Sequence, residues 1–368
     1  MAELQNISLA RGAPSLDIVA VGDLRASADR AFERDPNAAF SYGTSAGHTR
    51  LLAWLAEKHG VGPEQVVVTN GSMQADAFLF QQTVAPGDVV VVEAPTYDRT
   101  LLSLRKLGAE VLAIPLEADG IDVDALAQAL EGGARPRLAH IIPNFQNPAG
   151  YTLSLEKRRR LLELAGQQEF LIFEDDPYVE LRFAGEPLPT MLSLDDGAGR
   201  VVYASSFSKT VCPGIRVGYL VGSQELIGHI RKLATDTYIS PSMVSQAIVA
   251  EFCESGAIGR SIEAVKDALR ERRDATCAAL REQIPEASFV VPEGGYFLWV
   301  DLPEGADVAR LASACLERGV SFVKGTDFLL EGGENSFRIA YSGVTPDQIE
   351  EAIGRVAEAW RELAAAAA

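Results

Sequence analysis

The sequence lacks the features that mark secreted, zinc-binding and membrane-spanning proteins. Its four cysteines form no C-x-x-C pair, which indicates neither a disulfide framework nor a zinc site and favours a reducing compartment. No apolar run approaches the length of a membrane span, and no charged stretch followed by an apolar one opens the chain. We therefore expect an unprocessed protein of the cytoplasm, with no membrane partner.

Basic runs are also scarce. The formal net charge is -18, and the longest basic run is the quartet at 157–160, which is typical of a solvated helix face. A chain this acidic is a poor match for the phosphate backbone of nucleic acids, so no nucleic-acid partner is expected. The four histidines are dispersed, which favours structural or surface roles over a metal site.

Short apolar runs dominate the first two thirds of the chain. The 368 residues are 47% hydrophobic, enough for two or three domains or for one large α/β domain with an appendage. Seven β-branched runs lie at 66–69, 89–94, 110–115, 138–142, 170–174, 201–204 and 218–221. They predict a mostly parallel seven-stranded sheet covered by helices on both faces. The last two runs are only about a dozen residues apart, which predicts an antiparallel pair.

The remaining third has a different texture. A long amphipathic helix is predicted at 261–283, followed by strands at 288–291, 296–301, 320–323 and 337–341, a pattern typical of a smaller α+β domain. We divide the chain into an N-terminal segment at 1–35, a large domain at 36–250 and a small C-terminal domain at 251–368. The N-terminal segment, with a helix near 24–32, is expected to pack on the small domain or on a partner subunit.

Lys209 stands in the most informative motif, the run S-S-F-S-K-T at 205–210. Ser206 and Ser208 precede it and Arg216 follows it, so hydroxyls and a guanidinium are at hand for a phosphate, beside an amine that can attack an aldehyde. The arrangement resembles the lysine that holds pyridoxal phosphate (PLP) as a Schiff base. The alternative is a surface lysine after a serine-rich turn.

Acids and an aromatic residue follow the fifth predicted strand. Asp175 and Tyr178 occur in the run E-D-D-P-Y at 174–178, at the sheet edge where open α/β folds bind ligands. A carboxylate there can keep a pyridine nitrogen protonated. Two other interpretations stay open: a divalent metal site made of three adjacent acids, or a helix N-terminus enriched in acids.

Polar residues follow two other strands. Asn147, in the run N-P-A-G, either donates to a phenolate oxygen or initiates an Asn-Pro turn. Gly71, Ser72 and Met73 open a helical stretch, so their amides and the serine hydroxyl either hold a phosphate or form an ordinary helix start.

Two larger side chains complete the set. Tyr97 follows the second strand and either stacks on an aromatic ring or fills the core. Arg338 lies inside an apolar strand, where a buried guanidinium requires an anionic partner. That partner is either a substrate carboxylate or an acidic side chain of the protein.

Together these pieces resemble one family. The runs P-N-F-Q-N-P, E-D-D-P-Y, S-F-S-K and P-G-x-R-x-G occur in this order and are similar to those of fold type I PLP enzymes, the class I/II aminotransferases. The subgroup with 2-aminoadipate and kynurenine-type aminotransferases is the most similar, and the resemblance covers about residues 7–359. It implies the PLP transferase fold type I.

The resemblance implies a role for each motif. Lys209 would hold PLP covalently, Asp175 would contact the pyridine nitrogen, and Asn147 and Tyr178 would contact the phenolic oxygen. Tyr97 would stack on the ring. The phosphate would be held by a group of small or basic residues: Gly71, Ser72, Met73, Ser206, Ser208 and Arg216.

It also implies the partners of the chain. Tyr42 would reach the phosphate in the other subunit of a homodimer, so that the two active sites are shared. Arg338, with Gly12 and Asn147 nearby, would bind the substrate carboxylate. Arg11 stands where the family has glycine, and it either reaches an acidic substrate side chain or forms a structural ion pair.

The implied activity is transfer of an amino group from an L-α-amino acid to a 2-oxo acid, most often 2-oxoglutarate. The cofactor motif is shared by PLP-dependent lyases, decarboxylases, racemases and cyclases, and these remain alternatives. A further alternative is a ligand-sensing domain that binds PLP without turnover.

Overall fold

The computed structural model describes residues 6–367. Residues 1–5 of the predicted N-terminal segment and Ala368 lie outside the described part. The strands are β1 (Ile7–Ser8), β2 (Val66–Thr69), β3 (Val89–Ala94), β4 (Glu110–Glu117), β5 (Gly120–Ile121), β6 (Pro136–Ile141), β7 (Leu171–Asp175), β8 (Val201–Ser206), β9 (Gly218–Val221), β10 (Phe297–Asp301), β11 (Val320–Ser321), β12 (Val323–Lys324) and β13 (Ser336–Ala340).

Helices alternate with these strands through most of the chain. They are α1 (Val21–Arg34), α2 (Pro36–Phe40), α3 (Thr49–His59), α4 (Ser72–Thr83), α5 (Asp98–Leu107), α6 (Val123–Glu131), α7 (Leu155–Gln168), α8 (Met191–Leu194), α9 (Gln224–Tyr238), α10 (Met243–Glu254), α11 (Ala257–Gln283), α12 (Val308–Glu317) and α13 (Pro346–Ala367). Among them, none has the length and apolar character needed to cross a bilayer.

An eight-stranded sheet with the order β2-β9-β8-β7-β6-β3-β4-β5 forms the large part of the molecule. The seven predicted strands are all present, and the short β5 adds an eighth by pairing antiparallel with β4. Strands β4, β3, β6, β7 and β8 are mutually parallel, while β9 is antiparallel to both β8 and β2. The predicted antiparallel pair is therefore confirmed. The sheet places the carboxyl ends of β2, β3, β6, β7 and β8 at one edge.

The central strands are buried on both faces, which is why their sequences are nearly continuous apolar runs. In β2, β8 and β9 every residue is buried. Two apolar clusters pack on opposite faces of the sheet, one containing Val67 and Val202 and the other Val66 and Tyr203. Side chains at successive strand positions thus enter different layers.

The smaller part has a three-stranded sheet with the order β10-β13-β12, packed with α11 and α13. The strand predicted at 288–291 is wrong. There Ser288 makes a single antiparallel bridge to Asp301, while Val290 and Val291 are more than a third exposed. Within residues 6–367 no further pairing with β10 follows that bridge, so the segment does not form a strand.

The N-terminal residues touch both parts of the molecule. Strand β1 pairs parallel with β11 of the smaller part, whereas α1 packs on α10. Between them, Leu9 N–H donates to Ser321 O at 2.7 Å and Ala340 N–H donates to Leu9 O at 2.7 Å. These bonds hold residues 10–13 over the edge at which the large-sheet strands end. We keep the boundaries near residues 35 and 250 as a proposal.

Candidate active site

A cavity of about 510 Å³ lies at the carboxyl edge of the large sheet, under the N-terminal segment and beside the smaller sheet. It brings together side chains that are far apart in sequence. The predicted site residues that line it are Arg11, Gly12, Ser72, Met73, Tyr97, Asn147, Asp175, Tyr178, Ser206, Ser208, Lys209, Arg216 and Arg338. The order of motifs along the chain thus corresponds to one place in the fold, because parallel strands end at one edge.

Two predicted residues lie outside this lining. Gly71 sits directly behind it: a Cβ built on Gly71 would lie 2.0 Å from Arg216 Nη2, so a larger residue would displace the guanidinium. Its φ of +87° also favours glycine. Tyr42 does not line the cavity of its own chain, and its side chain is 85% exposed.

The turn from β2 into α4 forms an anion cradle with the Lys209 segment. Arg216 Nη1 donates to Ser208 Oγ at 3.3 Å and its Nη2 donates to Asn70 O at 3.3 Å, so the guanidinium ties the two segments together. Gly218 lets β9 approach the backbone at the start of α4, since a Cβ there would lie 2.5 Å from Ser72 N. The N-terminus of α4, the Ser72 hydroxyl and Arg216 provide the donors and positive charge that a phosphate requires.

Lys209 reaches into the cavity from the segment between β8 and β9. Its Nζ donates to Gly12 O at 2.9 Å and lies 5.6 Å and 5.2 Å from the ring centres of Tyr178 and Tyr296. Burial, followed by the positive charges of Arg338 and Arg216, lowers the pKa of the Lys209 amine to about 8. An amine with this pKa is partly neutral near pH 7, as a nucleophile or a base must be.

Asp175 ends β7 with its side chain in the cavity and is 6% exposed. His140 Nε2 on β6 lies 3.4 Å from Asp175 Oδ2, while Asp175 Oδ1 is buried and accepts no hydrogen bond from any residue within 6–367. A buried carboxylate oxygen without a donor is costly. The orphaned oxygen therefore marks a place for a donor from a bound molecule.

The two acids beside Asp175 are used elsewhere. Glu174 accepts hydrogen bonds from Met191 N–H at 2.7 Å and Leu192 N–H at 2.8 Å. Asp176 accepts both of its side-chain bonds from Asn144 Nδ2, at 3.0 Å and 2.9 Å. Successive strand side chains point to opposite faces, so the three acids do not converge on one point as a metal would require.

Arg338 comes from β13 of the smaller sheet and is 6% exposed. Its Nη1 donates to Asn147 Oδ1 at 2.8 Å and its Nη2 to Ala10 O at 2.6 Å. Within 6–367 no carboxylate pairs with it, and its Nε is buried without a partner. Burial lowers the pKa of the guanidinium to about 10. A buried cation held only by neutral oxygens and aromatic rings is arranged to receive an anion.

Aromatic side chains form the walls. Tyr97 opens α5, and burial raises its pKa to about 12. Tyr178 is 4% exposed, with its ring centre 5.5 Å from that of Tyr296. An aromatic face in the cavity wall, such as that of Tyr97, can stack on a flat ring.

Several lining residues have no motif in the sequence. Phe297 packs against Arg338, with 4.3 Å from the ring centre to Cζ, and against Gly12, where an added Cβ would lie 2.4 Å from the ring. Asp76 and Arg99 also line the cavity. A single acid within a helix, or an aromatic residue in a strand, is too common to be singled out without the fold.

Comparisons with known proteins agree with this geometry. The family model described as aminotransferase class I and II matches residues 6–356. The aromatic-amino-acid aminotransferase 1 of Thermococcus litoralis is 34% identical, over 97% of this chain and 88% of that protein.

Solved structures agree as well. The α-aminoadipate aminotransferase of Thermus thermophilus, complexed with N-(5'-phosphopyridoxyl)-L-leucine, superimposes with a TM-score of 0.93 at 32% identity, over 98% of this chain and 93% of that one. The kynurenine aminotransferase of Pyrococcus horikoshii, in complex with PMP, gives a TM-score of 0.93 at 34% identity, over 98% and 91%.

The chain therefore belongs to the aminotransferase class I and II family. It is a PLP-dependent aminotransferase of fold type I, and the resemblance found in the sequence is confirmed. The residues present fit the cofactor: the orphaned Asp175 oxygen suits a pyridine N–H, the glycine-lined cradle suits a phosphate, and the Lys209 amine suits an aldehyde.

Proposed function

We propose that the protein moves the amino group of an L-α-amino acid to 2-oxoglutarate, and that the site residues act as follows. The observation that supports this most directly is the position of Arg338. It is a buried guanidinium, with no carboxylate partner among residues 6–367, in the same cavity as the Lys209 amine. A carboxylate bound there brings the α-carbon of an amino acid or oxo acid toward that amine.

Arg338 and Asn147 would bind the α-carboxylate of the substrate. The Asn147 side chain accepts from Nη1 and the Ala10 carbonyl accepts from Nη2, so both arms of the guanidinium are fixed before the substrate enters. Phe297 and Phe328 face its plane, with 4.3 Å and 4.9 Å from Cζ to the ring centres. Such preorganisation reduces the entropy lost on binding.

Lys209 would hold the cofactor and then carry the proton. Bound PLP supplies an electron sink that stabilises negative charge at the α-carbon of the substrate. The Lys209 Nζ, with its pKa lowered to about 8, would take the proton from the α-carbon of the substrate and return it on the cofactor side of the substrate nitrogen. Tyr178 and Tyr296 flank Nζ and keep bulk water from it.

The other predicted residues would hold the cofactor. Asp175 would accept from the pyridine nitrogen, Tyr178 and Asn147 would contact the phenolic oxygen, and Tyr97 would stack on the ring. The phosphate would be held by the anion cradle, composed of Gly71, Ser72, Met73, Ser206, Ser208 and Arg216. The contacts of Arg216 with Ser208 and Asn70 support this assignment, because they set its guanidinium beside the start of α4.

Arg11 would bind the second carboxylate of the acceptor. It lines the cavity, is exposed, and makes no salt bridge in the described part of the chain. Arg99, the other arginine at the cavity mouth, already pairs with Asp98 at 3.4 Å. The relatives named for aromatic amino acids and α-aminoadipate make both aromatic and acidic amino donors suitable first candidates.

A homodimer would complete the site. Large apolar side chains are exposed at Leu16, Phe40, Tyr42 and Ile239, with 83%, 62%, 85% and 58% of their surface accessible. The segment of Tyr42 lies against Met243, since a Cβ on Gly43 would lie 2.4 Å from the Met243 side chain. Phe40 and Tyr42 are close in sequence, and exposed apolar side chains that lie close together are candidates for an interface. A second copy placed there would bring Tyr42 toward the phosphate of its neighbour.

The cytoplasm remains our proposed location. All four cysteines are unpaired, and three of them are buried, as is usual where thiols stay reduced.

The test is a substrate panel with product analysis. Purified protein supplied with PLP should be yellow and should convert 2-oxoglutarate to glutamate in amounts equal to the oxo acid formed from the donor. Formation of ammonia or of an amine without consumption of 2-oxoglutarate would show a lyase or a decarboxylase. Binding of PLP without any turnover would favour a sensing domain.

A further inference from the structure

Asp76 is a second buried carboxyl group of the active-site cavity, with no role in the reaction described above. It lies in the second turn of α4, four residues after Ser72 and therefore on the same side of the helix. It is 8% exposed and lines the same cavity as Asp175 and Lys209. Its Oδ1 is buried and has no hydrogen-bond partner within 6–367.

An ionised carboxylate in this position is unfavourable for two reasons. Burial removes it from water, and the negative charge of Asp175 acts on it across the cavity. Burial first and Asp175 second raise the pKa of the Asp76 carboxyl well above its usual range. Two nearby buried carboxyl groups do not both ionise readily, which favours the protonated form of Asp76.

Charged and titratable groups face Asp76 from several elements. Those that line the same cavity are Arg11, Tyr97, Asp98, Arg99, Asp175, Tyr178, Lys209, Arg216 and Arg338. His140 contacts Asp175, with 3.4 Å between His140 Nε2 and Asp175 Oδ2. Across α4, the neighbour on α9 is Tyr238, whose ring packs on Phe78 and whose pKa burial raises to about 12. In the described part of the chain no cation lies within salt-bridge distance of Asp76. No direct ion pair within residues 6–367 therefore offsets the ionisation of Asp76, and a positive charge bound beside Asp175 would favour it.

We propose that Asp76 is a proton-carrying positioning residue of the cofactor site, which ionises when PLP is bound on Asp175. This inference rests on the proposed cofactor site. In the step, the O–H bond of Asp76 breaks and its proton moves to the pyridine nitrogen, or to solvent when the ring enters already protonated. Asp76 becomes a carboxylate, and two negative charges then face one pyridinium.

This ionisation would have two consequences. The second carboxylate keeps the pyridine nitrogen protonated over a wider pH range than Asp175 alone, because an opposite charge within a few ångströms favours the charged form. It also strengthens retention of the cofactor. In the unloaded protein, by contrast, the buried acid lowers the stability of the fold.

The first test counts protons taken up when PLP binds, by isothermal titration calorimetry at pH 7 in two buffers of different ionisation enthalpy. Asp76→Asn should take up about one proton more than the unaltered protein, since it cannot supply one. It should also bind PLP about tenfold more weakly, a loss equivalent to one pKa unit. The control is Asp124→Asn, which removes an exposed carboxyl group on α6.

The second test needs no cofactor. A carboxyl group whose pKa is raised in the fold binds more protons in the folded than in the unfolded state, so stability falls as the pH rises above about 4. The melting temperature of unloaded Asp76→Asn, relative to that of the unaltered protein, should therefore increase from pH 5 to pH 8. Asp76→Leu, which also removes the charge, should follow the same trend.

Distinct results would overturn the two proposals. Equal proton counts for the unaltered protein and Asp76→Asn, or a melting difference that stays constant with pH in both variants, would rule out the role of Asp76. Failure of the unaltered protein to take up any PLP would instead overturn the proposed cofactor site and this inference with it.

Discussion

Arg338 Nη1 donates a hydrogen bond of 2.8 Å to Asn147 Oδ1, which joins the smaller sheet to the loop that follows β6 of the large sheet. The bond is buried, and neither residue is more than 6% exposed. It fixes the guanidinium against the loop that would hold the phenolic oxygen of PLP. Substrate and cofactor contacts are thereby coupled through one pair of side chains.

Arg338→Lys should raise the KM for the amino donor and for the oxo acid by about tenfold to a hundredfold. A lysine cannot make the bidentate contact with a carboxylate, and a hydrogen bond to a charged group contributes about 1.5–3 kcal/mol. Steady-state kinetics would measure both KM values. Arg310→Lys, at an exposed position of α12, is the control.

Asn147→Ala should show non-additivity with Arg338→Lys, because each change breaks the same 2.8 Å bond. The measurement is the fold-increase in KM for the amino donor in each single variant and in the double variant. If the increase in the double variant equals the product of the two single increases, the side chains act independently.

The rate of covalent attachment of PLP should depend steeply on pH. The neutral amine is the nucleophile, and the pKa of Lys209 is lowered to about 8, so its neutral fraction rises about tenfold per pH unit below that value and levels off above it. Stopped-flow absorbance after mixing unloaded protein with PLP from pH 6 to pH 10 would follow this.

Two variants test the assignment of the lysine. Lys209→Met should lose the attachment detected by borohydride reduction and mass spectrometry, whereas Lys106→Met, which alters an exposed lysine on α5, should retain it. In the pH experiment described before, an attachment rate that continues to rise up to pH 10 would show that the Lys209 amine has an ordinary pKa.

Much of this site was predictable because of the sheet topology. Asn147, Asp175 and Lys209 each follow an apolar run, and the ends of parallel strands meet at one edge, so sequence order became spatial proximity. The metal interpretation of residues 174–176 would require the three carboxylates to converge. Side-chain direction alternates along the strand and separates Asp175 from its neighbours, so they do not.

Other features depend on how distant elements dock. Phe297 meets Arg338 and Gly12 only because the smaller sheet and the N-terminal segment close over the cavity. Asp76 sits in a helix whose composition is unremarkable, and its burial beside Asp175 arises from the packing of α4 on the sheet. A single bridge at Ser288 replaces the predicted strand, and the exposed Val290 and Val291 that follow gain no burial that would favour further pairing.

Arg11→Gln should weaken the binding of 2-oxoglutarate selectively. The expected increase in its KM is about tenfold or more, from loss of a charge-assisted contact with the second carboxylate. The KM for 2-oxopentanoate, which has the same chain without that carboxylate, should change little. Equal effects on both acids would place Arg11 in a structural role.

The exposed apolar surface should be covered by a second copy of the chain. Sedimentation of the unaltered protein should give a dimer, and Phe40→Glu together with Ile239→Glu should raise the dimer dissociation constant at least about a hundredfold, equivalent to about 2.8 kcal/mol. The reason is that both side chains are more than half exposed in one chain and would be desolvated against the other. Leu316→Glu, which changes a side chain that is 66% exposed on α12, is the matched control. A monomeric protein at micromolar concentration with full PLP affinity would show that Tyr42 does not complete the site of a neighbour.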